Sequence, residues 1–500
     1  MAASVEIVGS ARVLLPLAIT FLSPFFIWIF GQHPNRRESV SFAASALTFL
    51  AVIRMLPDIL HNKILTCTLF TIIPGVHVSF MADGLSMIFG IVASLLWFIT
   101  TAYNIGYMRS LKEHAQTRYY FCFAVAIFGA QGVAFSGNIF TLYLFYEIIS
   151  MFTYPLVAHH QDAEAYAGGR KYLVYLVGSS KLFFLPAMVI TYLLCGTLDF
   201  HMGDIMHGIF PPNADPTLVS LAYWLYFFGL AKSAVMPLHN WLPSAMVAPT
   251  PVSALLHAVA VVKAGVSAIA RMVLSGFGVA TMTSHGLGMP TAYLAAFTIV
   301  AASLIALTKD DIKARLAYST ISQLSYIVIG IAMLTPIAVE GGILHLVNHA
   351  VSKITLFFAA GAIYVASRQR NISAMGGLGR RMPWTFGAFA VASLSMIGVP
   401  PVCGFVTKWY LVNGAVNGGH MILLAALLIS TLLNAMYFTP VVLRGFFGKA
   451  HPDVILEQCS EAPPSMVAAL GLTAAFSVLL GLFPGVITDF IGVFTHWVMR

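Results

Sequence analysis

The chain has 500 residues, of which 59% are hydrophobic and 9% charged, and its mean hydropathy is +0.87. A soluble domain carries roughly 25% charged residues, so the chain reads as a polytopic membrane protein with no room for a separate soluble domain. The formal net charge of +8 is then a matter of membrane orientation and not of nucleic acid.

A bilayer crossing takes about 20 mostly apolar residues. About fourteen such spans are expected, near 12–31, 39–59, 79–105, 119–136, 138–158, 171–195, 217–248, 252–275, 288–308, 314–335, 340–366, 384–418, 420–447 and 465–490. The N-terminal apolar run is too long for the core of a signal peptide and reads as the first span. The longest polar gap, near 201–216, holds Asp204, Asn213 and Asp215 and reads as an aqueous loop. Cys67, Cys122, Cys195, Cys403 and Cys459 show no CxxC or metal spacing and read as small apolar core residues.

The seventh and twelfth spans are long and interrupted. The breaks are expected at Met236–Pro237 and at Gly398–Val399–Pro400–Pro401, because proline removes a donor and clashes with the preceding turn. Interrupted helices at matching places in two halves point to inverted repeats with a site near the midplane. The halves are spans four to eight and nine to thirteen, and five crossings invert topology. The expected fold is therefore all-α. Residues 1–110 hold the first three spans, 111–280 the first repeat, 281–450 the second repeat and 451–500 the fourteenth span. Loops after odd-numbered spans carry Arg36, Arg37, Arg109, Lys112, Arg118, Arg170, Arg368, Arg380 and Arg444 among others. Loops after even-numbered spans carry almost no basic residue. The positive-inside rule then places both termini outside.

Ionisable side chains inside spans are costly and mark function. Glu147 lies alone in the fifth span, too deep and too short to reach the interface. Lys232 lies in the first half of the seventh, and the two are expected to form an intramembrane ion pair, because a buried charge needs a partner. Separating such a pair is a physical switch for releasing a proton. In the eighth span His257 and Lys263 are six residues apart and face different sides of a straight helix. They align only where the helix is irregular or where water bridges them. In the eleventh, His345, His349 and Lys353 stand at i, i+4, i+8 on one face, about 6 Å apart along the axis, the spacing a water-assisted proton relay needs. Lys408 is the lone charge of the twelfth span, beside Trp409 and Tyr410. Lys181, deep in the sixth, is a further candidate without an assigned role. A histidine pair four residues apart can hold zinc, but no third ligand is evident and Lys353 would repel a cation, so no metal is expected. There is no nucleotide loop, haem motif or cysteine cluster. The chain therefore reads as having no cofactor and no catalytic residue of its own. It uses an ion gradient or is driven by a partner.

The segments HNWLPSAMVAPTPVSALLHAVAVVKAG, DIKARLAYSTISQLSYIVIGI, HLVNHAVSKITLFFAAG and GVPPVCGFVTKWYL resemble the proton-conducting antiporter-like family. That family includes the large subunits of multi-subunit Mrp cation/proton antiporters, of membrane-bound hydrogenases and of the membrane arm of respiratory complex I. The resemblance covers roughly residues 79–450. Length and span plan resemble the D-type Mrp subunits, while PTPVSALLHAVAVVKAG is as similar to the A-type. The resemblance implies that Glu147 is the fifth-span glutamate, that Lys232 is the lysine of the broken seventh span and pairs with it, and that Lys263 and His257 occupy the eighth-span relay position. His345, His349 and Lys353 then form the eleventh-span relay, and Lys408 is the lysine of the broken twelfth span.

The function so implied is proton translocation within a sodium/proton antiporter of the bacterial inner membrane. The partners implied are other membrane subunits, the lipid bilayer, H+ and, as a candidate counter-ion, Na+. The alternatives are a proton-pumping subunit of a redox-driven complex, a proton-driven carbon-uptake module, a quinone-binding oxidoreductase subunit and a scaffold.

Overall fold

The structure is a computed structural model that describes residues 5–452 and 455–496. Every expected span is occupied by helix. The first helix is Leu14–Ile29, the second Pro34–Ile53, the third Gly84–Ser110, the fourth Gln116–Ala134 and the fifth Ile139–Val157. The sixth runs through Ala163–Ser179, a π-helical turn at Ser180–Phe184, and Leu185–Cys195. The seventh begins as Pro216–Gly229, and the eighth lies within Thr250–Ser284. Then come the ninth, Gly288–Leu307, the tenth, Ile312–Ala332, and the eleventh, Pro336–Ser367. The twelfth is split into Pro383–Ile397 and Cys403–Asn417. The thirteenth is Met421–Phe447, and the fourteenth, Pro464–Leu482, is followed by Gly485–His496.

Among the described residues, 10 helical stretches are long and apolar enough to cross a membrane. The fourth, seventh, tenth and twelfth fall short of that measure. The breaks leave the seventh and twelfth with leading halves of 14 and 15 residues. The fourth and tenth carry polar residues along their length, including Arg118 and Gln131, and Lys313, Arg315 and Gln323.

The eighth helix is the axis of the bundle. Its apolar window is 100% buried, against 28% for the sixth helix at the rim. The third, fourth, tenth and eleventh helices pack around it. The fourth helix lies along the fifth, and the ninth along the tenth, so each expected repeat opens on a helical hairpin.

A three-stranded sheet caps the end of the bundle where the third helix begins. Its order is β1 (Glu6–Gly9), β2 (Lys63–Ile73), β3 (Val76–Ala82), with β1 parallel to β2 and β2 antiparallel to β3. The sequence reading had no strand here. The segment KILTCTLFTII is rich in β-branched residues, and Gly75, at φ +78, supplies the positive φ that a tight hairpin turn demands. The third helix consequently starts at Gly84 and not at residue 79. Asp83 caps it, accepting from the Ser86 amide at 2.8 Å.

Both breaks are present, and the first lies earlier than expected. The helix stops at Gly229 and a single tight turn, Ala231–Ser233, follows before Met236–Pro237. The ring of Pro237 would clash with the carbonyl of Ser233, and the residue before a proline avoids helical backbone, so the helix is lost a full turn ahead of the proline. Lys232 therefore sits inside the break and not in the first half of the helix. The second break falls at Gly398–Pro401 as expected.

Candidate functional site

A break inside a membrane frees backbone groups that need protein partners, and those partners define the first half of the site. The Lys232 amide donates to the Tyr146 hydroxyl at 3.0 Å, and the Ala231 carbonyl accepts from Trp241 Nε1 at 3.0 Å. The Met236 amide donates to Thr298 Oγ1 at 3.2 Å. The Lys232 ammonium, fully buried, donates to the Tyr146 carbonyl at 2.8 Å and to Ser150 Oγ at 2.7 Å. It also lies 3.1 Å from the centroid of the Tyr146 ring, a contact that favours a cation. The eighth helix reaches this turn through Gly265, where a Cβ would stand 2.3 Å from the Ser233 nitrogen. Only glycine permits that approach.

The expected Glu147–Lys232 pair is replaced by another. Glu147 Oε2 lies 3.6 Å from Lys181 Nζ, and Lys181 also donates to the Tyr143 hydroxyl. The reason is helical phase. Ser150 and the Tyr146 carbonyl face the break, whereas Glu147, one residue on from Tyr146, points about 100° away toward the sixth helix. Neither carboxylate oxygen of Glu147 has a hydrogen-bond partner among the described residues.

On the eighth helix, His257 lies in a π-helical stretch, Ser253–Ala260, that precedes the regular helix Val261–Arg271. The helix is thus irregular at His257, one of the two conditions under which it could align with Lys263. His257 packs against Trp241 and Tyr172, with ring centroids 6.1 and 6.4 Å apart, and neither of its ring nitrogens is hydrogen-bonded among the described residues. Lys263 Nζ is hydrogen-bonded to Nδ1 of His349 on the eleventh helix, which joins the eighth and eleventh helices directly. At the far end of the same helix Arg271 forms a two-armed ion pair with Asp83 and donates to Ser86 Oγ at 2.9 Å.

The eleventh-helix residues stand on one face, with the His345 and His349 rings 5.8 Å apart. Their partners diverge. His345 Nδ1 meets Thr407 Oγ1 at 3.2 Å, His349 meets Lys263, and Lys353 Nζ donates to Ser319 Oγ at 2.8 Å. Ser319 is also hydrogen-bonded to Tyr437, whose hydroxyl donates to Asn434.

At the second break, Lys408 Nζ donates to the Ile397 carbonyl at 2.7 Å and to Thr431 Oγ1 at 2.9 Å. Asn434 Nδ2 donates to the Met396 carbonyl at 3.1 Å. Gly398, at φ +89, lets the lysine stem cross, since a Cβ there would stand 2.6 Å from Lys408 Cδ. The Tyr326 ring lies 5.4 Å from Lys408 Nζ and 5.4 Å from the His345 ring.

The structure therefore brings Lys263, His349 and His345 into one row that reaches Lys408 through Tyr326. It places Lys353 on a branch through Ser319 and Tyr437 that returns to the second break at Asn434. It sets Lys232, Glu147 and Lys181 together around the first break, and leaves His257 in an aromatic cage. Sequence reasoning did not single out Tyr146, Ser150, Ser319, Tyr326 or Asn434, hydroxyl and amide side chains that carry no charge to mark them. Nor did it find the Asp83–Arg271 pair, whose members are 188 residues apart.

The family described as NADH:quinone oxidoreductase/Mrp antiporter, TM matches residues 136–434. NADH-quinone oxidoreductase subunit N of Desulforudis audaxviator is 34% identical over 398 residues, covering 75% of this chain and 76% of that protein. Na(+)/H(+) antiporter subunit A1 of Staphylococcus haemolyticus is 28% identical over 445 residues, and there the chain spans 53% of the relative's length. A chain of the Mrp complex from Dietzia sp. DQ12-45-1b superposes with a TM-score of 0.87 at 21% identity, covering 97% of each chain. A chain of the membrane-bound sulfane sulfur reductase, an archaeal respiratory membrane complex, superposes equally well, at 0.87, with 25% identity and 98% of each chain covered. A chain of respiratory complex I from Thermus thermophilus follows, with a TM-score of 0.75 at 22% identity over 95% of this chain and 98% of the other. These relatives come from multi-subunit membrane complexes. The chain is a multi-pass membrane protein that belongs to the NADH:quinone oxidoreductase/Mrp antiporter transmembrane family.

Proposed function

We propose that this chain is the proton-conducting subunit of a multi-subunit cation/proton antiporter in the bacterial inner membrane. Protons enter at the first break through Glu147 and Lys232 and cross to Lys263 or His257. They pass along His349, His345 and Lys353 and leave at Lys408. The observation that carries this reading is the Lys263–His349 bond, a lysine and a histidine fully buried and joined across the two halves. An ammonium in low dielectric is costly without a counter-charge, and Lys232, Lys263, Lys353 and Lys408 are all held by neutral acceptors. Four such lysines in one interior are a poor structural investment and a good set of proton carriers. The gaps of 5.8, 5.4 and 5.4 Å from His349 through His345 and Tyr326 to Lys408 are within reach of one bridging water.

The same reading takes residues 111–280 and 281–450 as inverted repeats, with 1–110 and 451–500 as flanking helices and both termini outside. The partners are other membrane subunits, and Na+ is the exchanged ion. The similarity to an oxidoreductase subunit over three quarters of both chains, and to a respiratory complex over nearly the whole chain, favours a second reading, in which redox chemistry in a partner drives the same proton path. Identification of the co-purifying subunits separates the two.

The path itself is tested in reconstituted vesicles. Lys232→Ala and Glu147→Ala should each nearly abolish proton-coupled transport while assembly stays intact. Full activity in both variants would reject the path.

A further inference from the structure

Away from the membrane interior, the connection between the third and fourth helices carries Glu113 and His114, and that between the fifth and sixth carries His159 and His160. The fold brings the two connections together. Glu113 Oε2 lies 3.7 Å from His159 Nε2 and 3.7 Å from His160 Nδ1. Donor atoms of Glu113, His114 and His159 all lie within 4.8 Å of one another. The His114 and His159 rings are 4.8 Å apart, and those of His159 and His160 5.5 Å. Three imidazoles thus surround one carboxylate.

His159 makes this more than a surface cluster. It is 0% exposed, yet neither ring nitrogen is hydrogen-bonded among the described residues. A buried imidazole normally satisfies at least one nitrogen. Here one is aimed at a carboxylate oxygen too far away for a hydrogen bond. The separation suits a bridging atom instead. Two ligands bound at 2.0–2.1 Å around a tetrahedral ion stand about 3.3 Å apart, close to the 3.7 Å found for two of the pairs. Imidazole and carboxylate together are a donor set for zinc, with no thiolate to favour softer ions.

We propose that Glu113, His114 and His159 form a zinc-binding site that ties these two connections together. Glu113 and His160 also line a cleft with Tyr107, Thr250, Lys313 and Arg370. A bound ion would therefore stand at the edge of a polar opening that reaches the start of the eighth and tenth helices. In the sequence the donors stand as KEH and HHQD, 45 residues apart, at spacings that no zinc motif describes.

The test uses the full-length chain with its co-purifying subunits, isolated through an affinity tag free of histidine and titrated with Zn2+. Elemental analysis after desalting should find one zinc per chain. His114→Ala, at an exposed position, and Glu113→Gln, which keeps the side-chain shape, should each weaken zinc binding at least tenfold. His114→Cys should restore it, because thiolate is itself a zinc ligand. Co2+ in place of zinc should give the intense visible absorption of a four-coordinate ion, lost in His114→Ala. Absence of stoichiometric zinc, or zinc retained undiminished in both weakening variants, would overturn the proposal. Loss of zinc in His114→Cys as complete as in His114→Ala would do the same.

Discussion

The partner of Glu147 is a point at which the structure makes a sharp claim about turnover. Glu147 and Lys181 stand 3.6 Å apart, which at an effective dielectric of about 20 corresponds to about 4.6 kcal/mol. The Lys181 side chain is 51% exposed, and pairs open to solvent measure about 0.2–1 kcal/mol, so the pair is worth about 1–4 kcal/mol. Lys181→Met removes the charge and keeps the volume. Glu147, with neither oxygen otherwise hydrogen-bonded among the described residues, is then left to re-pair with Lys232, whose ammonium lies against Tyr146 next door. At about 1.4 kcal/mol per factor of ten, the balance between the two partners shifts by about fivefold to a thousandfold toward Lys232. A lysine held by a carboxylate keeps its proton. Proton flux in proteoliposomes should therefore fall at least fivefold in Lys181→Met, with the amount of assembled protein unchanged. Lys181→Arg should retain most of the flux. Transport by Lys181→Met within twofold of the wild type would show that Lys181 does not hold Glu147 in the working protein.

Lys263→Ala removes the bond that joins the eighth helix to His349 on the eleventh. A positioned proton-transfer group contributes about 10²- to 10⁴-fold, so vesicle proton flux should drop by at least a hundredfold, and a drop below threefold would place the path elsewhere. Arg271→Ala leaves Asp83 buried without its partner, which costs about 3–5 kcal/mol and should lower the thermal midpoint in detergent. Adding Asp83→Ala should recover part of the loss, because removing both members of a buried pair is far cheaper than removing one.

The membrane fold was legible because lipid is a simple solvent. Each crossing must be a helix with its backbone satisfied internally, so apolar runs pointed to the helices, and the prolines pointed to the interruptions, Pro400–Pro401 at its break and Pro237 after its helix had already ended. The shared face of His345, His349 and Lys353 on the eleventh helix was legible for a similar reason, since they repeat at four residues. What stayed hidden depends on contacts between helices. KILTCTLFTII is apolar enough to pass as the flank of a span, and its pairing with β3 follows from a hairpin that no period in the sequence marks. The π-helical stretch at Ser253–Ala260 changes the phase between His257 and Lys263 without any proline or glycine to announce it. The choice of Lys181 over Lys232 as the partner of Glu147 turns on which side of one helix faces which neighbour, and the two lysines look alike in sequence.

The two breaks solve one problem in two ways. At the first, the freed backbone groups are met by Tyr146, Trp241 and Thr298, all neutral, while the Lys232 ammonium binds the fifth helix and not its own. The turn is therefore held whether or not Lys232 carries its proton. At the second, Lys408 itself caps the end of the helix Pro383–Ile397 by donating to the Ile397 carbonyl, where the helix dipole also favours a cation. Losing a proton there removes charge from the group that closes the helix. The neutral amide of Asn434 is left to hold the neighbouring carbonyl of Met396. Of the two broken helices, the twelfth is thus the one whose end is closed by an ionisable side chain. On the proposed path, a partner subunit that senses the arrival of a proton would have more to read at Lys408 than at Lys232.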